Sequence, residues 1–251
     1  MMKSNYLLKV SLCLFLTGQV SAAESQWGLG IGAMAEQQGY VDVDTKTTVI
    51  PIISYESENL RISGPQLEYK LTQYKTPELG TVNFSVLGQY RFDGYEADDG
   101  DVFIGMDERS GAFELGFSVD YRSKLGSLSF EFSNDVTNEH EGYETSLTYS
   151  KPYFFNSLVL EPYAKVAYLS DDLVNYYYGV EASEAKTNRH AYIGEATTNG
   201  EIGLRMRWQA GKHHQFISNL SYKSFGSEIK DSPLVEKSGG ANLILGYVYV
   251  F

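Results

Sequence analysis

The sequence predicts an all-β protein: a single antiparallel, up-and-down transmembrane β-barrel of the bacterial outer membrane. Apolar and polar residues alternate with a period of two along most of the chain, which is the pattern of strands with one apolar face. The alternating segments are mostly about nine to twelve residues long, as tilted membrane strands must be. Short and long connections also alternate between them, as they do in outer-membrane barrels.

The clearest strand runs from residue 113 to residue 122. Its apolar face consists of Phe113, Leu115, Phe117, Val119 and Tyr121. The opposite face carries all of its charges, on Glu114, Asp120 and Arg122. The same alternation predicts about twelve strands, near 27–37, 47–56, 59–64, 66–74, 81–92, 112–122, 127–135, 142–150, 157–168, 199–208, 214–224 and 241–251.

The segment 59–64 is the weakest of these strands, because it is short and runs into Gly64 and Pro65. Ten strands is the alternative, since single-chain bacterial barrels have an even number. The tight, polar connections are Lys75–Gly80, Ser123–Gly126 and Ala210–His213. The long ones are 93–111, 169–198 and 225–240. This asymmetry predicts short periplasmic turns and long outer loops.

Alternation alone does not distinguish a membrane barrel from a soluble sandwich or lipocalin-like barrel, whose apolar faces turn inward. Strand length favours the membrane, because soluble strands average about five to six residues. Tyrosines also fall near strand ends, where their rings can lie at the boundary between water and lipid. Examples are Tyr90, Tyr121, Tyr149, Tyr168 and Tyr222. Lipid and lipopolysaccharide of the outer membrane are therefore expected to surround the barrel.

The last predicted strand ends on an aromatic residue. One face of this strand carries Leu243, Leu245, Tyr247, Tyr249 and Phe251. This pattern looks like the carboxy-terminal signal that the bacterial barrel-assembly machinery reads. We therefore predict Tyr247, Tyr249 and Phe251 as a barrel-assembly signal, with that machinery as a partner.

The N-terminus has the pattern of a secretory signal peptide. Lys3 and Lys9 precede an apolar run over 10–16, and small residues follow at 20–23. We expect a signal peptide over 1–22, with cleavage after Ala22 or Ala23, and a barrel domain over 23–251. Cys13, the only cysteine, would be removed with it. The exported protein would then have neither thiol chemistry nor disulfides.

The charge balance excludes nucleic acid as a partner. The formal net charge is −12 at pH 7, and loss of the signal peptide would remove two lysines more. A chain this acidic repels nucleic acid and bare anionic surfaces.

No residues are predicted to be catalytic, to bind a cofactor or to hold a metal. The acidic stretch 93–108 does not match the ligand spacing of an EF-hand, and a solvated outer loop is the prediction, with cation or lipopolysaccharide bridging as the alternative. The histidines are His140, His190, His213 and His214. No Gly-x-Ser-x-Gly elbow accompanies them, so an outer-membrane hydrolase is only a minor alternative.

Charges of both signs are predicted on the inner face of the strands. They are Glu114, Asp120, Arg122, Glu131, Glu161, Lys165, Arg205 and Arg207. Cross-strand pairs among them could fill a small barrel or line a narrow pore, and the sequence leaves both open.

Two loop segments resemble a known family. The first contains Tyr176, Tyr177, Tyr178, Gly179 and Val180, followed by Tyr192. The second contains Ser232, Pro233, Leu234, Val235 and Lys237. Together with residues 27–30 and the closing strand, they are similar to the MltA-interacting protein (MipA)/OmpV family. We expect the tyrosines to fold over the barrel mouth, with Gly179 adopting a positive φ.

The resemblance implies an outer-membrane barrel without known catalysis. The member that names the family is a scaffold that joins a lytic transglycosylase to a penicillin-binding murein synthase, whereas other members are adhesins, porin-like proteins or immunogens. A scaffold in murein organisation is thus the leading expectation. A narrow porin-like channel or transporter is the alternative.

Overall fold

The computed structural model describes residues 25–43, 45–76, 78 and 80–251. The predicted signal peptide and both of its cleavage positions lie outside these residues. The strands are β1 (Gln26–Glu36), β2 (Lys46–Glu56), β3 (Leu60–Ser63), β4 (Gln66–Thr76), β5 (Gly80–Arg91), β6 (Ala112–Ser123), β7 (Gly126–Asp135), β8 (Tyr143–Ser150), β9 (Tyr153–Phe155), β10 (Leu158–Leu169), β11 (Thr197–Ala210), β12 (His214–Ser224) and β13 (Gly239–Val250). The helices are α1 (Asp171–Tyr178) and α2 (Ser227–Lys230), with a 3₁₀ turn over Asp101–Phe103.

The strands form a closed antiparallel barrel. Each strand pairs with its neighbours along the chain, except that β8 and β9 both pair with β10, and β13 pairs with β1 from Val250 opposite Gly28 to Asn242 opposite Glu36. Closure leaves no first or last strand as an open edge. Because β8 and β9 lie in line along the same side of β10, the wall has twelve strand positions. The predicted twelve strands are confirmed, including the weakest one, which is β3.

The apolar faces point outward. On β6, Phe113, Leu115 and Phe117 are 59%, 54% and 46% exposed, whereas Glu114 and Ser118 between them are 1% and 4% exposed. A soluble barrel would show the reverse. The outer surface is thus an apolar band for lipid, and the polar residues fill the interior.

The short turns lie at one end of the barrel and the long loops at the other, except that the two-residue turn of Gly64 and Pro65 joins β3 to β4 toward the outer side. The first residue of β1 and the last of β13 share the end with the short turns, so this end faces the periplasm. β9 was not predicted. It continues the wall after β8 is interrupted at Pro152, which has no backbone N–H to donate to a ladder.

β3 is much shorter than its neighbours. It ends at a turn in which Gly64 has a φ of 57°, a left-handed conformation that favours glycine, and Pro65 follows. β3 pairs with β2 only from Ser54 to Glu56 and with β4 only from Gln66 to Tyr69. Among the described residues, β2 therefore lacks a ladder partner toward the outer end, and β4 lacks one toward the periplasmic end.

Helix α1 was not predicted from the sequence. It begins after Ser170, whose hydroxyl accepts the N–H of Leu173 at 3.4 Å and that of Tyr143 at 2.9 Å. Asp171 and Asp172 in its first turn favour the positive end of the helix dipole. No helix in the described part of the chain is both long enough and apolar enough to cross a membrane.

Candidate functional site

The long loops fold over the outer mouth of the barrel and pack against one another. We call the segments 37–43, 92–111, 170–196 and 225–238 together the outer plug. Its apolar core contains Tyr40, Tyr95, Phe103, Met106, Leu173, Val174, Tyr177, Val180, Phe225, Ile229, Leu234 and Val235. Each of these side chains is buried, so the outer plug is a packed core of its own and not a set of solvated loops.

The first family motif joins α1 to the segment 92–111. Tyr177 is 1% exposed and its hydroxyl donates to the Ser110 carbonyl at 3.1 Å. The Tyr176 hydroxyl accepts the N–H of Ser110 at 3.0 Å, and the Tyr176 carbonyl accepts from Arg109 Nε at 2.8 Å. Burial raises the pKa of the Tyr177 phenol far above its ordinary value, so Tyr177 acts as a neutral donor.

The second family motif contacts the first. The Ser232 hydroxyl donates to the Tyr178 carbonyl at 2.6 Å and accepts the N–H of Leu234 at 3.2 Å. Leu234 is fully buried, and its carbonyl accepts the N–H of Val41 at 2.9 Å. Tyr40 in turn pairs with Val235 and stacks on Tyr178 with a centroid distance of 5.7 Å. Ser232 therefore links three segments of the outer plug.

The other motif residues differ in their surroundings. Pro233 is half-buried between Ser232 and Leu234, whereas the Lys237 side chain is 41% exposed and lies 3.6 Å from Glu236. Tyr192 pairs with Val180 by two backbone hydrogen bonds of 2.8 and 2.9 Å. Its hydroxyl donates to the Glu228 carbonyl at 2.7 Å, and burial together with the nearby Glu228 carboxylate raises the pKa of Tyr192 to about 12.

The predicted positive φ at Gly179 is wrong. Its φ of −74° and ψ of 160° are ordinary extended values that any residue adopts. The position instead has no room for a side chain. A Cβ there would lie 2.3 Å from the Asn175 carbonyl oxygen and 2.5 Å from Asn175 Oδ1. Glycine is required by the close approach of the helix end.

A buried ion pair also holds the outer plug together. Arg109 Nη2 lies 3.0 Å from Glu184 Oε1, and both side chains are less than a tenth exposed. The Glu184 carboxylate also accepts the N–H groups of Asp107 and Glu181, each at 2.9 Å. Burial raises the pKa of Glu184, but these hydrogen bonds and Arg109 outweigh it and hold the pKa below its ordinary value of 4.5.

The acidic stretch 93–108 differs in part from the predicted solvated loop. Its carboxylates mostly face water, but Tyr95, Phe103 and Met106 between them are buried in the outer plug. Asp99 pairs with Lys46 at 3.1 Å across two loops. Within the described residues, no group of three or more carboxylate or histidine side chains converges to hold a metal ion. The burial of these three residues was not predicted, because they are among the few large apolar side chains in a sequence segment dominated by acidic residues.

A charged network lies directly beneath the outer plug. Arg91 lies 2.6 Å from Glu114 Oε1 and 3.0 Å from Glu144 Oε2. Arg91 also bonds Asp93 at 2.9 Å, and Lys165 bonds Glu144 at 2.8 Å. Four of the predicted inner-face charges, Glu114, Glu161, Lys165 and Arg205, therefore pair across strands, and pairing is what allows charges to lie in a narrow interior.

The four histidines lie in different surroundings. His140 is buried, its Nδ1 accepts the Gly142 N–H at 3.0 Å, and its Nε2 faces Glu114 at 3.3 Å. Because Nδ1 is an acceptor, a neutral His140 ring carries its proton on Nε2, on the side of Glu114. His213 Nδ1 lies 2.7 Å from the Val250 carbonyl, and His214 Nδ1 lies 2.8 Å from the Tyr247 hydroxyl. His190 is exposed on the outer plug.

A polar cavity of about 90 Å³ lies between the outer plug and the barrel wall. Its lining includes the charged side chains of Glu36, Asp93, Glu201 and Lys223, and Tyr178 from the first motif. A space of this size and polarity accommodates several water molecules. The upper lumen is therefore narrow, polar and covered.

The predicted assembly residues lie at the periplasmic end of β13. The rings of Tyr249 and His213 are stacked, with centroids 5.4 Å apart, and Phe251 is 66% exposed on the outer face. The Phe251 N–H donates to the Trp27 carbonyl at 2.9 Å, across the seam that closes the barrel. Tyr247, Tyr249 and Phe251 thus lie along the seam where β13 pairs with β1.

Sequence reasoning missed much of the outer plug, including Tyr40, Tyr95 and Arg109. Arg109 had a usable signal, because it is the single basic residue in the acidic segment 93–111. Tyr40 and Tyr95 had none, since their burial depends on contacts between loops far apart in the chain, such as the Tyr40–Tyr95 edge contact at 5.6 Å.

The chain is similar to several known proteins. Outer membrane protein Omp26La of Vibrio anguillarum is 27% identical over 224 residues, covering 88% of this chain and 85% of the relative. The MltA-interacting protein of Escherichia coli (strain K12) is 24% identical over 247 residues, covering 98% of both. Among solved structures, the trimer form of OmpT of Vibrio cholerae covers 91% of this chain and 98% of its own, with 9% identity and a TM-score of 0.39.

The family model described as MltA-interacting protein MipA matches residues 29–251, which is the whole barrel from β1 to the end of the chain. The relative Omp26La carries an outer-membrane name, and the inside-out barrel has the apolar band that such a location requires. This chain is an outer-membrane β-barrel that belongs to the MltA-interacting protein MipA family.

Proposed function

We propose that the protein is a non-enzymatic scaffold of the outer membrane that helps to organise murein enzymes on the periplasmic side. The observation that carries this proposal is the outer plug. A mouth closed by a buried apolar core, with Leu234, Ile229 and Val174 each fully buried, suits a barrel that anchors other proteins better than one that conducts solutes.

The proposed partners are a lytic transglycosylase and a penicillin-binding murein synthase. The support is the relative of full-length similarity that is named MltA-interacting protein. The family motifs belong to the outer plug, so partners in the periplasm would bind at the opposite end. The surface there consists of the turns at 57–59, 124–125, 156–157 and 211–213, together with the rim strands beside them.

Binding to a purified lytic transglycosylase tests this proposal. The full-length barrel, folded into lipid nanodiscs, is immobilised and exposed to the soluble enzyme. We expect saturable binding in the micromolar range or tighter, because transient scaffolds rely on small interfaces. The matched control is an unrelated barrel of similar size in the same nanodiscs. Binding no stronger than to this control would contradict the scaffold.

A transporter is the second candidate, and the polar cavity favours it. A covered cavity lined by Glu36, Asp93 and Lys223 could admit a small polar solute if the outer plug moved. Uptake of small charged and neutral solutes into proteoliposomes distinguishes the candidates. Uptake above that of protein-free liposomes would favour transport and weaken the scaffold.

A further inference from the structure

Among the described residues, the short strand β3 leaves two strand edges without a partner, and they differ in what they can bind. One is the outer part of β2, residues 46–53, and the other is the periplasmic part of β4, residues 71–76. We propose that the edge of β4 is a strand-addition site for an extended, acidic segment of a periplasmic protein. This inference rests on the proposed scaffold function and names the surface through which it operates.

Beyond Lys70, β4 is paired with β5 on one side, with a register shift between Lys70 and Thr72, and is open on the other side within the described part of the chain. Lys70 N–H donates to the Asn59 carbonyl at 2.7 Å, and this is the last backbone hydrogen bond between β4 and the β2–β3 turn among the described residues. On its other side β4 stays paired with β5 as far as Thr76 opposite Gly80. At about 3.3 Å per residue, the open edge offers roughly 20 Å of backbone for pairing.

A groove of about 330 Å³ runs along this edge. Residues Lys70 to Gln73 and Lys75 form one wall, and Glu58 and Asn59 from the β2–β3 turn form the other. Leu71 and Tyr74 are 61% and 64% exposed beside it. Backbone groups for a ladder and flanking apolar side chains are the features that recognition by strand addition requires.

The β2 edge lacks this capacity because of Pro51. The Ile53 carbonyl accepts the Gly64 N–H at 3.1 Å, so Ile53 turns its backbone toward the missing strand. Alternate residues of a strand face the same neighbour, and Pro51 therefore occupies a pairing position without an N–H. Proline on an edge blocks strand addition. β4 contains no proline from Gln66 to Thr76, so only its edge remains usable.

The charges of the groove favour an acidic occupant. Its lining has two basic residues, Lys70 and Lys75, and one acidic residue, Glu58, and the Lys70 ammonium bonds the backbone carbonyl of Glu58 at 2.7 Å rather than a carboxylate. An incoming strand with carboxylates would gain opposite-charge cross-strand pairs. A second copy of this chain would instead place lysines beside lysines. The site thus favours a different protein over self-association.

The test uses the full-length barrel in lipid nanodiscs and a fluorescent peptide of alternating Glu and Val. Fluorescence anisotropy should show binding that weakens at least about tenfold in the Lys70→Glu/Lys75→Glu variant, since reversed charges repel across the groove. The control variant, Lys124→Glu/Lys212→Glu, changes two exposed lysines in other periplasmic turns and should bind as the wild type does. β-Sheet content and heat-modifiability verify that both variants are folded.

Two further peptides separate strand addition from simple charge attraction. A peptide with proline at every second Val cannot form a ladder and should not bind, and the Lys-Val counterpart should not bind either. Equal affinity for the proline peptide, or equal weakening in both lysine variants, would overturn the proposal. Wild-type dimerisation that competes with the Glu-Val peptide would overturn it in favour of a second copy.

The lytic transglycosylase distinguishes this inference from the proposed function. If the wild type and the Lys70→Glu/Lys75→Glu variant bind the enzyme equally well, the scaffold stands and the β4 site is overturned. If the wild type binds the Glu-Val peptide through these lysines but binds no murein enzyme, the β4 site stands and its murein assignment falls.

Discussion

Arg109 joins two loops of the outer plug across the mouth of the barrel. Its guanidinium bonds the Glu184 carboxylate at 3.0 Å and the Tyr176 carbonyl at 2.8 Å, and so joins the acidic loop to the loop that contains α1. Ser232 does the same for a third loop through the Tyr178 carbonyl. Closure thus depends on a few polar contacts inside an apolar core, where a lost partner is costly.

Replacing Arg109 with Met should loosen the outer plug. The substitution leaves the Glu184 carboxylate buried without its cation, and breaking such a pair costs about 3–5 kcal/mol. Hydrogen exchange in 92–111 and 170–196 should speed up while exchange in the strands stays unchanged. Lys46→Met is the control, because its pair with Asp99 is substantially exposed and is worth about 0–1 kcal/mol. Equal effects of both substitutions would contradict the role of Arg109.

Acid should loosen the same contact. The pKa of Glu184 is lowered in the folded state, so its stabilisation is present above the ordinary value of 4.5 and is lost as the pH falls through the lowered value. Hydrogen-exchange protection factors in 170–196, corrected for the slower intrinsic exchange of amides in acid, should therefore decrease as the pH falls below the ordinary value of 4.5. The Glu184→Gln variant should show a flatter pH dependence over this range, and an identical profile would refute the assignment.

At the scale of elements, the alternation of apolar and polar residues was sufficient to predict the twelve strand positions of the wall. Successive side chains of every strand point alternately to the lipid and to the interior, so the same pattern recurs along the chain. The helices could not be found this way. α1 has only eight residues, and a helix this short forms because Ser170 caps it and the outer plug buries one face. β9 escaped prediction because it follows the interruption at Pro152.

The site was predicted less completely than the wall. The motif residues Tyr176 to Val180 and Ser232 to Val235 were identified by resemblance, but their contact with each other depends on loop packing that no local pattern encodes. The same holds for Tyr40, which stacks on Tyr178 from the far end of the chain. The Gly179 prediction was wrong because a turn was assumed where a helix end packs closely.

Gly179→Ala tests the packing at the end of α1. The new methyl group would overlap the Asn175 carbonyl, and such overpacking costs about 1–3 kcal/mol. We expect faster hydrogen exchange in α1 and a lower Tm. Gly200→Ala is the control, since a Cβ there meets nothing within 4 Å. A Gly179→Ala variant as stable as Gly200→Ala would show that the position tolerates a side chain.

At the scale of the molecule, closure at the β1–β13 seam and closure at the outer mouth are separate events. We propose that Tyr247, Tyr249 and Phe251 act in the first, through the barrel-assembly machinery. Phe251→Ala should lower the amount of heat-modifiable barrel in outer-membrane fractions several-fold, without changing the stability of the barrel that does assemble. Leu125→Ala, at an exposed periplasmic turn, is the control. Normal assembly of Phe251→Ala would contradict the signal.

The central claim is that the outer plug closes the barrel. Planar-bilayer recording of the purified, full-length protein measures this most directly, together with a variant in which 171–196 is replaced by a short Gly-Ser loop. We predict no regular single-channel steps for the wild type and well-defined steps for the variant, because removing α1 removes Leu173, Val174 and Tyr177 from the core of the outer plug. Stable channel steps from the wild type would contradict the account.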